Sequence, residues 1–251
     1  MGKLVENGPK SMVIGILALQ GAFVEHQVML QKLAPSLHVE ISVNLVRSIQ
    51  DLQACDALVI PGGESTTIAL LAKHSGLLDP LRDFIKTKPV WGSCAGAILM
   101  SRSVTNAKQG GQDLLGGLSV TTVRNGWGSQ IESFEAPLVV TSLSQPDRPF
   151  QGVFIRAPAV LSIDLAPEDP PLRVIARLPV DLLPNTQSVI QENQGLADHF
   201  NPQTVVAFRQ GNHLFTSFHP ELTKDDRFHD YFVQECVIPS LITNPSSNML
   251  K

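Results

Sequence analysis

Short apolar runs alternate with helical patterns over the first hundred residues of the chain. Residues 12–19 form an apolar run rich in β-branched side chains, and shorter runs follow at 39–46, 57–60 and 89–91. Continuous runs of this length are typical of strands that are covered on both faces of a parallel sheet. Apolar residues at helical spacing separate them, first between positions 23 and 33. The alternation predicts an α/β fold with a mostly parallel central sheet flanked by helices.

The pattern becomes richer in short strands after about Gly110. The predicted strands lie at 119–124, 138–141, 152–155, 174–176, 188–191, 204–209 and 213–218. Residues 164–185 are dense in proline and acidic side chains, which predicts a long surface excursion, and 225–236 has a helical pattern. Earlier, a helical pattern from 65 to 86 is broken near Gly76.

The composition indicates a globular chain. Of the 251 residues, 43% are hydrophobic and 17% are charged, so the chain can bury a sizeable core. We expect a single domain over 12–240, with flexible termini at 1–11 and 244–251. The formal net charge is −4 and no Lys/Arg cluster is present, which argues against a nucleic-acid partner.

Cysteine use and the absence of long apolar stretches bear on the compartment. Cys55, Cys94 and Cys236 are widely separated and odd in number, and no CxxC pair indicates a metal or redox site. We therefore expect no disulfide framework and a reducing compartment. The first ten residues lack a signal-peptide core, and no apolar run approaches the roughly 20 residues that span a bilayer. The expected location is the cytoplasm, without membrane contact.

The strongest chemical signal is Gly92-Ser93-Cys94-Ala95-Gly96, between a predicted strand and a predicted helix. It has the form of a nucleophile elbow with cysteine in place of serine. The turn is too tight for a Cβ on either flank, and it places the thiol at a helix N-terminus, where the thiolate is favoured. The alternative is a buried structural cysteine beside small packing residues.

A histidine and an acid stand close together downstream, in His219-Pro220-Glu221. A thiol nucleophile needs a histidine base, and the base needs an acid that orients it. In an extended segment, positions i and i+2 point the same way, so Glu221 is expected beside the His219 ring. The alternative is a surface turn that caps a helix. His26, His74, His199 and His229 are expected at ordinary, solvated positions.

A third feature, Pro61-Gly62-Gly63-Glu64-Ser65-Thr66-Thr67, follows another predicted strand directly. Two glycines let the backbone approach a ligand, and Ser65 is a candidate N-cap. Such a loop can aim an N–H of Gly63 at a developing oxyanion, with the Ala95 N–H as second donor. A simple strand-to-helix turn explains the pattern equally well, and a phosphate loop would need a Gly-Lys pair that is missing.

Together these motifs resemble the class I, triad-type glutamine amidotransferases, and within that class the glutaminase subunits of pyridoxal 5′-phosphate synthase. The resemblance covers nearly the whole chain from about Met12, in the order that this family has. The matching segments are 15–21, 61–67, 92–96, 124–125, 133–135, 153–158 and 217–223. The loop with Glu-Ser-Thr-Thr and the Ile-Arg-Ala-Pro segment are the parts specific to the subfamily.

The resemblance implies a flavodoxin-like, three-layer fold and a role for each matching residue. Cys94 would be the nucleophile, with His219 and Glu221 as its relay, and Gln20 would lie near the oxyanion and respond to a partner. The residues implied to hold L-glutamine are Gly63, Glu64, Ser65, Arg124, Ile155 and Arg156. The implied partner is the TIM-barrel synthase subunit in a hetero-oligomer, and neither a metal nor an organic cofactor is required.

Two regions depart from the family pattern. Residues 125–130 carry Gly126, Trp127 and Ser129 where many relatives have other residues, and the stretch 162–204 is longer than in compact bacterial members. These differences bear on the partner surface. Other synthases served by the same class, a γ-glutamyl hydrolase, and a catalytically silent regulatory subunit stay open as alternatives.

Overall fold

A central β-sheet combines the strands of the first half of the chain with those that end it. The computed structural model describes residues 11–37, 39–105, 111–126, 133–179, 183 and 201–243. Within them the strands are β1 Ser11–Leu17, β2 Glu40–Val46, β3 Ala57–Ile60, β4 Val90–Ser93, β5 Ser101–Thr105, β6 Leu118–Val123, β7 Ser133–Leu138, β8 Phe150–Ile155, β9 Ala159–Ile163, β10 Leu172–Arg177, β11 Val205–Gln210 and β12 His213–Thr216.

Helices connect the strands and cover the sheet. The α-helices are α1 Phe23–Leu33, α2 Ile49–Gln53, α3 Ser65–His74, α4 Leu78–Thr87, α5 Ala95–Met100, α6 Arg227–Tyr231 and α7 Ile238–Thr243. Short 3-10 turns span Ala34–Ser36, Pro202–Thr204 and Pro220–Leu222, and a π-helical segment, Phe232–Val237, joins α6 to α7. Among the described residues, no helix combines the length and the apolar character needed to cross a bilayer.

The sheet order is β10-β11-β12-β4-β3-β1-β2. The four neighbouring pairs from β12 to β2 are parallel, whereas β10 and β11 add an antiparallel edge beside β12. Two smaller sheets, β5-β6-β9 and β7-β8, come from the middle of the chain. The predicted α/β class, its mostly parallel sheet and the strand-rich second half are confirmed.

Burial explains why these segments form their elements. Every residue of β3 and β4 is buried, as a parallel strand covered on both faces requires. Helix α1 turns one stripe to the sheet, because its buried residues are spaced at i, i+3, i+4 and i+7: His26, Met29, Leu30 and Leu33. One buried cluster lies on each side of the sheet. The elements of the first half are therefore set by apolar periodicity.

Polar surface strands caused most of the differences from prediction. β5 and β9 were not expected, since half or more of the residues in each are only partly buried or exposed, so neither is a continuous buried apolar run. The strand predicted at 174–176 is present as β10, which forms the edge of the main sheet against β11, so the excursion expected over 164–185 contains a strand of that sheet. The strand predicted at 188–191 lies outside the described residues.

Candidate active site

The backbone at Cys94 is a strained turn between β4 and α5. Its φ and ψ are 47° and −103°, an uncommon conformation for a residue with a side chain. A Cβ on Gly96 would collide with the carbonyl oxygen of Ile60, and one on Gly92 would lie 2.6 Å from backbone atoms of Gly96. The Cys94 N–H donates to the Thr216 carbonyl at 2.9 Å, which fastens the elbow to β12. The glycine requirement expected at both flanks is confirmed.

Parallel pairing of β12 with β4 carries His219 to the elbow, because both strands end at the same edge of the sheet. Nδ1 of His219 lies 2.7 Å from Oε1 of Glu221, and both side chains are buried. Glu221 was predicted beside His219 on an extended segment. That prediction of the backbone was wrong, because residues 220–222 form a 3-10 turn. Pro220 opens that turn, where its fixed φ and missing N–H are tolerated.

The electrostatics of His219 are those of a protonated imidazole. Burial by itself lowers its pKa, but hydrogen bonds with Cys94 and Glu221 and the charges of both groups outweigh burial and raise the pKa to about 10. For Glu221, burial opposes ionisation, while the influence of His26 and the hydrogen bond with His219 hold the pKa below its usual range. The pair is therefore charged at neutral pH.

Gly62 packs directly against the imidazole ring of His219. A Cβ at this position would collide with the His219 ring, at 2.8 Å from Nδ1 and closer to Cε1. The preceding loop is packed just as closely, since the Ala22 N–H donates to the Gly62 carbonyl at 3.0 Å. The sequence motif identified Gly62 as part of a loop, but nothing in its spacing indicated contact with a histidine far downstream.

The loop after β3 is held by the loop after β1. Oε1 of Gln20 accepts the Glu64 N–H at 2.9 Å, and it would lie 2.5 Å from a Cβ placed on Gly63. The predicted N-cap Ser65 was wrong by one residue: Glu64 caps α3 by accepting the Thr67 N–H at 3.0 Å. Gln20 thus contacts the segment that was predicted to hold the oxyanion and the substrate.

An ion pair between Glu64 and Arg124 forms the polar side of the cleft. Oε1 of Gln112 accepts from Arg124 at 3.1 Å and from the Ser65 hydroxyl at 3.0 Å, so it bridges both predicted substrate residues. Burial opposes the charge of Glu64, but hydrogen bonds from Thr66, Arg124 and Thr67 lower its pKa to about 2. Gln112 was not predicted, because an isolated glutamine outside a motif carries no sequence signal.

The segment that ends β8 approaches the sulfur. The carbonyl oxygen of Ile155 lies 3.9 Å from Sγ of Cys94, and Arg156 has a positive φ of 45°. Both side chains are exposed, so this part of the cleft opens to solvent. Ala95 is the first residue of α5, and its N–H has no acceptor within the helix. The predicted substrate and oxyanion residues Gly63, Ala95, Ile155 and Arg156 belong to segments that surround or face the elbow.

Two histidines expected to be solvated are fully buried instead. His26 and His229 each have 0% exposure, and their ring nitrogens Nδ1 and Nε2 are 2.9 Å apart. Nε2 of His26 also lies 3.4 Å from Oε2 of Glu221. The helical stripe of α1 contains the missed signal, since position 26 belongs to the core-facing set. His74 is exposed as predicted, and His199 lies outside the described residues.

A parallel α/β sheet with a cysteine elbow and an adjoining His–Glu pair is the arrangement used by cysteine-dependent hydrolases of the elbow type. Comparison with known families makes the class more specific. The model of the SNO glutamine amidotransferase family matches residues 16–187 and 182–238. The chain belongs to the SNO glutamine amidotransferase family, as the sequence resemblance indicated.

Curated relatives cover most of the chain. A protein of Arabidopsis thaliana named probable pyridoxal 5′-phosphate synthase subunit PDX2 is 46% identical, over 89% of this chain and 85% of its own length. The pyridoxal 5′-phosphate synthase subunit PdxT of Roseiflexus sp. (strain RS-1) is 42% identical, over 88% of this chain and 99% of its own length.

Solved structures agree on the fold. A crystal structure described as a glutamine amidotransferase has a TM-score of 0.66 at 36% identity, covering 88% of this chain and 97% of its own. A structure from Thermoplasma acidophilum, described as one component of a GMP synthase, has a TM-score of 0.54 at 14% identity, covering 94% and 98%. The second likeness concerns the fold alone.

Proposed function

We propose that this chain hydrolyses L-glutamine to glutamate and ammonia as the glutaminase subunit of a pyridoxal 5′-phosphate synthase. Family membership supports glutamine hydrolysis, and the relatives named above are subunits of that synthase. The observation that carries the proposal is the alignment of Cys94, His219 and Glu221 at the edge of the parallel sheet, where hydrogen bonds and the charges of Cys94 and Glu221 outweigh burial and keep the imidazole protonated.

The proposed reaction has two halves. Sγ of Cys94 attacks the side-chain amide carbon of glutamine, and the C–N bond breaks as protonated His219 gives its proton to the leaving nitrogen. Ammonia and a glutamyl thioester result. Neutral His219 then takes a proton from water, whose oxygen attacks the thioester carbon, and glutamate leaves while the sulfur is released. Glu221 holds the ring in the correct tautomer throughout.

The amino-acid head group of the substrate matches the ion pair beside the elbow. An α-ammonium and an α-carboxylate are adjacent opposite charges, and Glu64 and Arg124 present the complementary charges side by side. A guanidinium can hold a carboxylate through two parallel hydrogen bonds. Ser65, Ile155 and Arg156 would complete the pocket around the glutamine. Ser65 and Arg124 share the same bridging residue, Gln112, which supports their acting together.

The oxyanion of each tetrahedral intermediate would be stabilised by the N–H groups of Gly63 and Ala95. Gln20 supports this assignment, because its side chain holds the peptide between Gly63 and Glu64. A partner that moves Gln20 would therefore move an oxyanion donor. We propose that this partner is the barrel-shaped synthase subunit, so that ammonia is released where it is consumed.

The test is glutamine-dependent formation of pyridoxal phosphate by the full chain mixed with a candidate synthase subunit, with ammonia and glutamate measured in parallel. The proposal predicts that both products and pyridoxal phosphate appear together and that Gln20→Ala reduces stimulation by the synthase. Glutamate release without transfer to pyridoxal phosphate would instead favour another synthase or a γ-glutamyl hydrolase. Absence of glutamate release in the mixture would refute the proposal and favour a silent regulatory role.

A further inference from the structure

Two buried histidines lie directly behind the Glu221 carboxylate. Nε2 of His26, from α1, is 3.1 Å from Oγ of Ser93 and 3.4 Å from Oε2 of Glu221. Nδ1 of His26 is 2.9 Å from Nε2 of His229, which comes from α6. The ring of Trp91 packs edge-on against both imidazoles, with centroids 5.1 and 4.8 Å away. Four side chains of this group have 0% exposure and exclude water from it: His26, Trp91, Ser93 and His229.

The second oxygen of Glu221 needs a donor that the triad does not supply. Oε1 is occupied by His219, whereas Oε2 is buried and has no regularly aligned hydrogen bond among the described residues. A buried ionised carboxylate oxygen without a donor raises the free energy of the folded state, because it has lost its hydrogen bonds to water and gained none from the protein. Nε2 of His26 lies 3.4 Å from Oε2, on the oxygen that His219 does not contact.

Only one arrangement of protons satisfies most of this group. Burial, the largest effect for both rings, lowers the pKa of His26 and of His229 to about 3, so each is neutral and carries one ring proton. With that proton on Nε2 in both rings, His26 donates toward Glu221 and Ser93, and His229 donates to Nδ1 of His26. Two groups are then left unpaired in the part of the chain that the structure describes: Nδ1 of His229, which is an acceptor, and the Ser93 hydroxyl proton, since the ring of His26 is the only partner of Ser93 Oγ there.

The opposite tautomers serve the group less well. If His26 carried its proton on Nδ1, that proton would go to His229. Nε2 would then accept from the Ser93 hydroxyl and also turn a lone pair toward the carboxylate of Glu221. His229 would then bury an N–H at Nδ1 without an acceptor among the described residues. Each arrangement leaves one buried donor unpaired, the Ser93 hydroxyl in the first and the His229 N–H in the second, but only the second also sets a lone pair against the charged carboxylate of Glu221. The carboxylate of Glu221 thus favours the proton on Nε2 of His26, and His229 completes this arrangement by donating to Nδ1 of His26.

We propose that His26 is a positioning residue for the proposed glutaminase reaction, which holds Glu221 through Oε2 while His229 keeps the His26 proton on Nε2. This inference rests on the proposed function, since Glu221 matters as the group that orients His219. The line of contacts then runs from His219 through Glu221 and His26 to His229. It connects the segment after β12 with α1 and α6. Neither His26 nor His229 reaches the cleft, so neither contacts the substrate.

Nitrogen NMR of the full chain, labelled at histidine, tests the proton positions without any activity. The resonances of protonated and bare ring nitrogens differ, and His26→Gln and His229→Gln assign them. The expected result is a proton on Nε2 and a bare Nδ1 in both His26 and His229. A proton on Nδ1 of His26 would overturn the proposal, because Nε2 would then have nothing to donate to Glu221.

Kinetics with the synthase subunit present test the role. A hydrogen bond to a charged group corresponds to roughly a 10- to 100-fold effect, so His26→Asn should lower kcat for glutamate release by that factor. The KM for glutamine should stay within about twofold, since His26 does not touch the substrate. His26→Gln should recover most of kcat, because its amide places a donor near the Nε2 position, whereas the shorter Asn amide does not.

The matched control is His213→Asn, which alters a histidine of β12 that bonds the Val90 N–H at 3.3 Å, away from Glu221. It should keep wild-type kcat. Equal losses of kcat in His26→Gln and His26→Asn would overturn the inference, and so would losses of kcat that only follow the loss of thermal stability. Either result would mean that His26 acts through packing alone. If the wild-type mixture releases no glutamate, the proposed function fails instead, and the NMR result still decides the tautomers.

Discussion

Gly62 offers a sharp perturbation, because it faces the His219 ring and has no side chain that could take part in the proposed reaction. In Gly62→Ala the new Cβ would lie 2.8 Å from Nδ1 of His219, where ordinary contact begins at about 3.4 Å. The ring must therefore recede by at least about 0.6 Å, and the peptide after β3 cannot yield freely, since Gly62 accepts the Ala22 N–H at 3.0 Å. Displacement of a catalytic group by about 1 Å can cost on the order of 100-fold in rate.

We therefore expect kcat for glutamate release by Gly62→Ala to fall by roughly 10- to 100-fold with the synthase subunit present. Gly76→Ala is the matched control, because a Cβ there meets nothing within 4 Å. Its positive φ of 72° should cost about 1 kcal/mol of stability without changing kcat. Wild-type kcat in Gly62→Ala, at unchanged stability, would refute the close packing of this loop on His219.

Three further changes follow from charged groups of the chain, two in the candidate site and one at Arg227, which starts α6. Because the pKa of His219 is raised from 6.5 to about 10, its protonation contributes to the free energy of unfolding in full below pH 6.5, and that contribution is lost as pH rises toward 10. Glu221→Gln should move the alkaline loss of kcat/KM to lower pH; an unmoved limb would contradict this. Arg124→Ala should raise KM for glutamine about 10- to 100-fold, with a smaller effect on kcat, in steady-state assays. Arg227→Met should destabilise the chain by about 3–5 kcal/mol in urea unfolding, because its buried guanidinium donates to four carbonyls and Asp225; a loss under about 1 kcal/mol would contradict that.

Apolar periodicity predicted the parallel strands and the helices of the first half, because those segments are buried on one stripe or on both faces. The turn chemistry of Gly92 and Gly96 predicted the strained elbow. A Cβ on Gly92 would meet the backbone of Gly96 within the turn itself, whereas one on Gly96 would meet the Ile60 carbonyl of the neighbouring strand β3. Glu221 was placed beside His219 correctly but through an extended link, because the 3-10 turn at Pro220 depends on packing that a three-residue motif does not contain.

The parts of the site that escaped prediction are joined only by long-range packing. His26 and Ser93 are 67 positions apart, and His26 and His229 are 203 apart, so no spacing rule connects them. His26 belongs to a stripe whose other members are apolar, and a polar residue at such a position is a detectable signal. Gln112 offers no such signal, because only the folded chain brings it between Ser65 and Arg124.

The central claim is that Cys94 forms a covalent bond to the glutamyl group of glutamine. Intact-protein mass spectrometry of the full chain, quenched in acid during turnover with glutamine and the synthase subunit, tests it directly. The account predicts a glutamyl adduct in the wild type, mapped by peptide analysis to Cys94, and no adduct or glutamate release in Cys94→Ala. Glutamate release by Cys94→Ala at the wild-type rate, or an adduct on Cys55 or Cys236 instead, would contradict it.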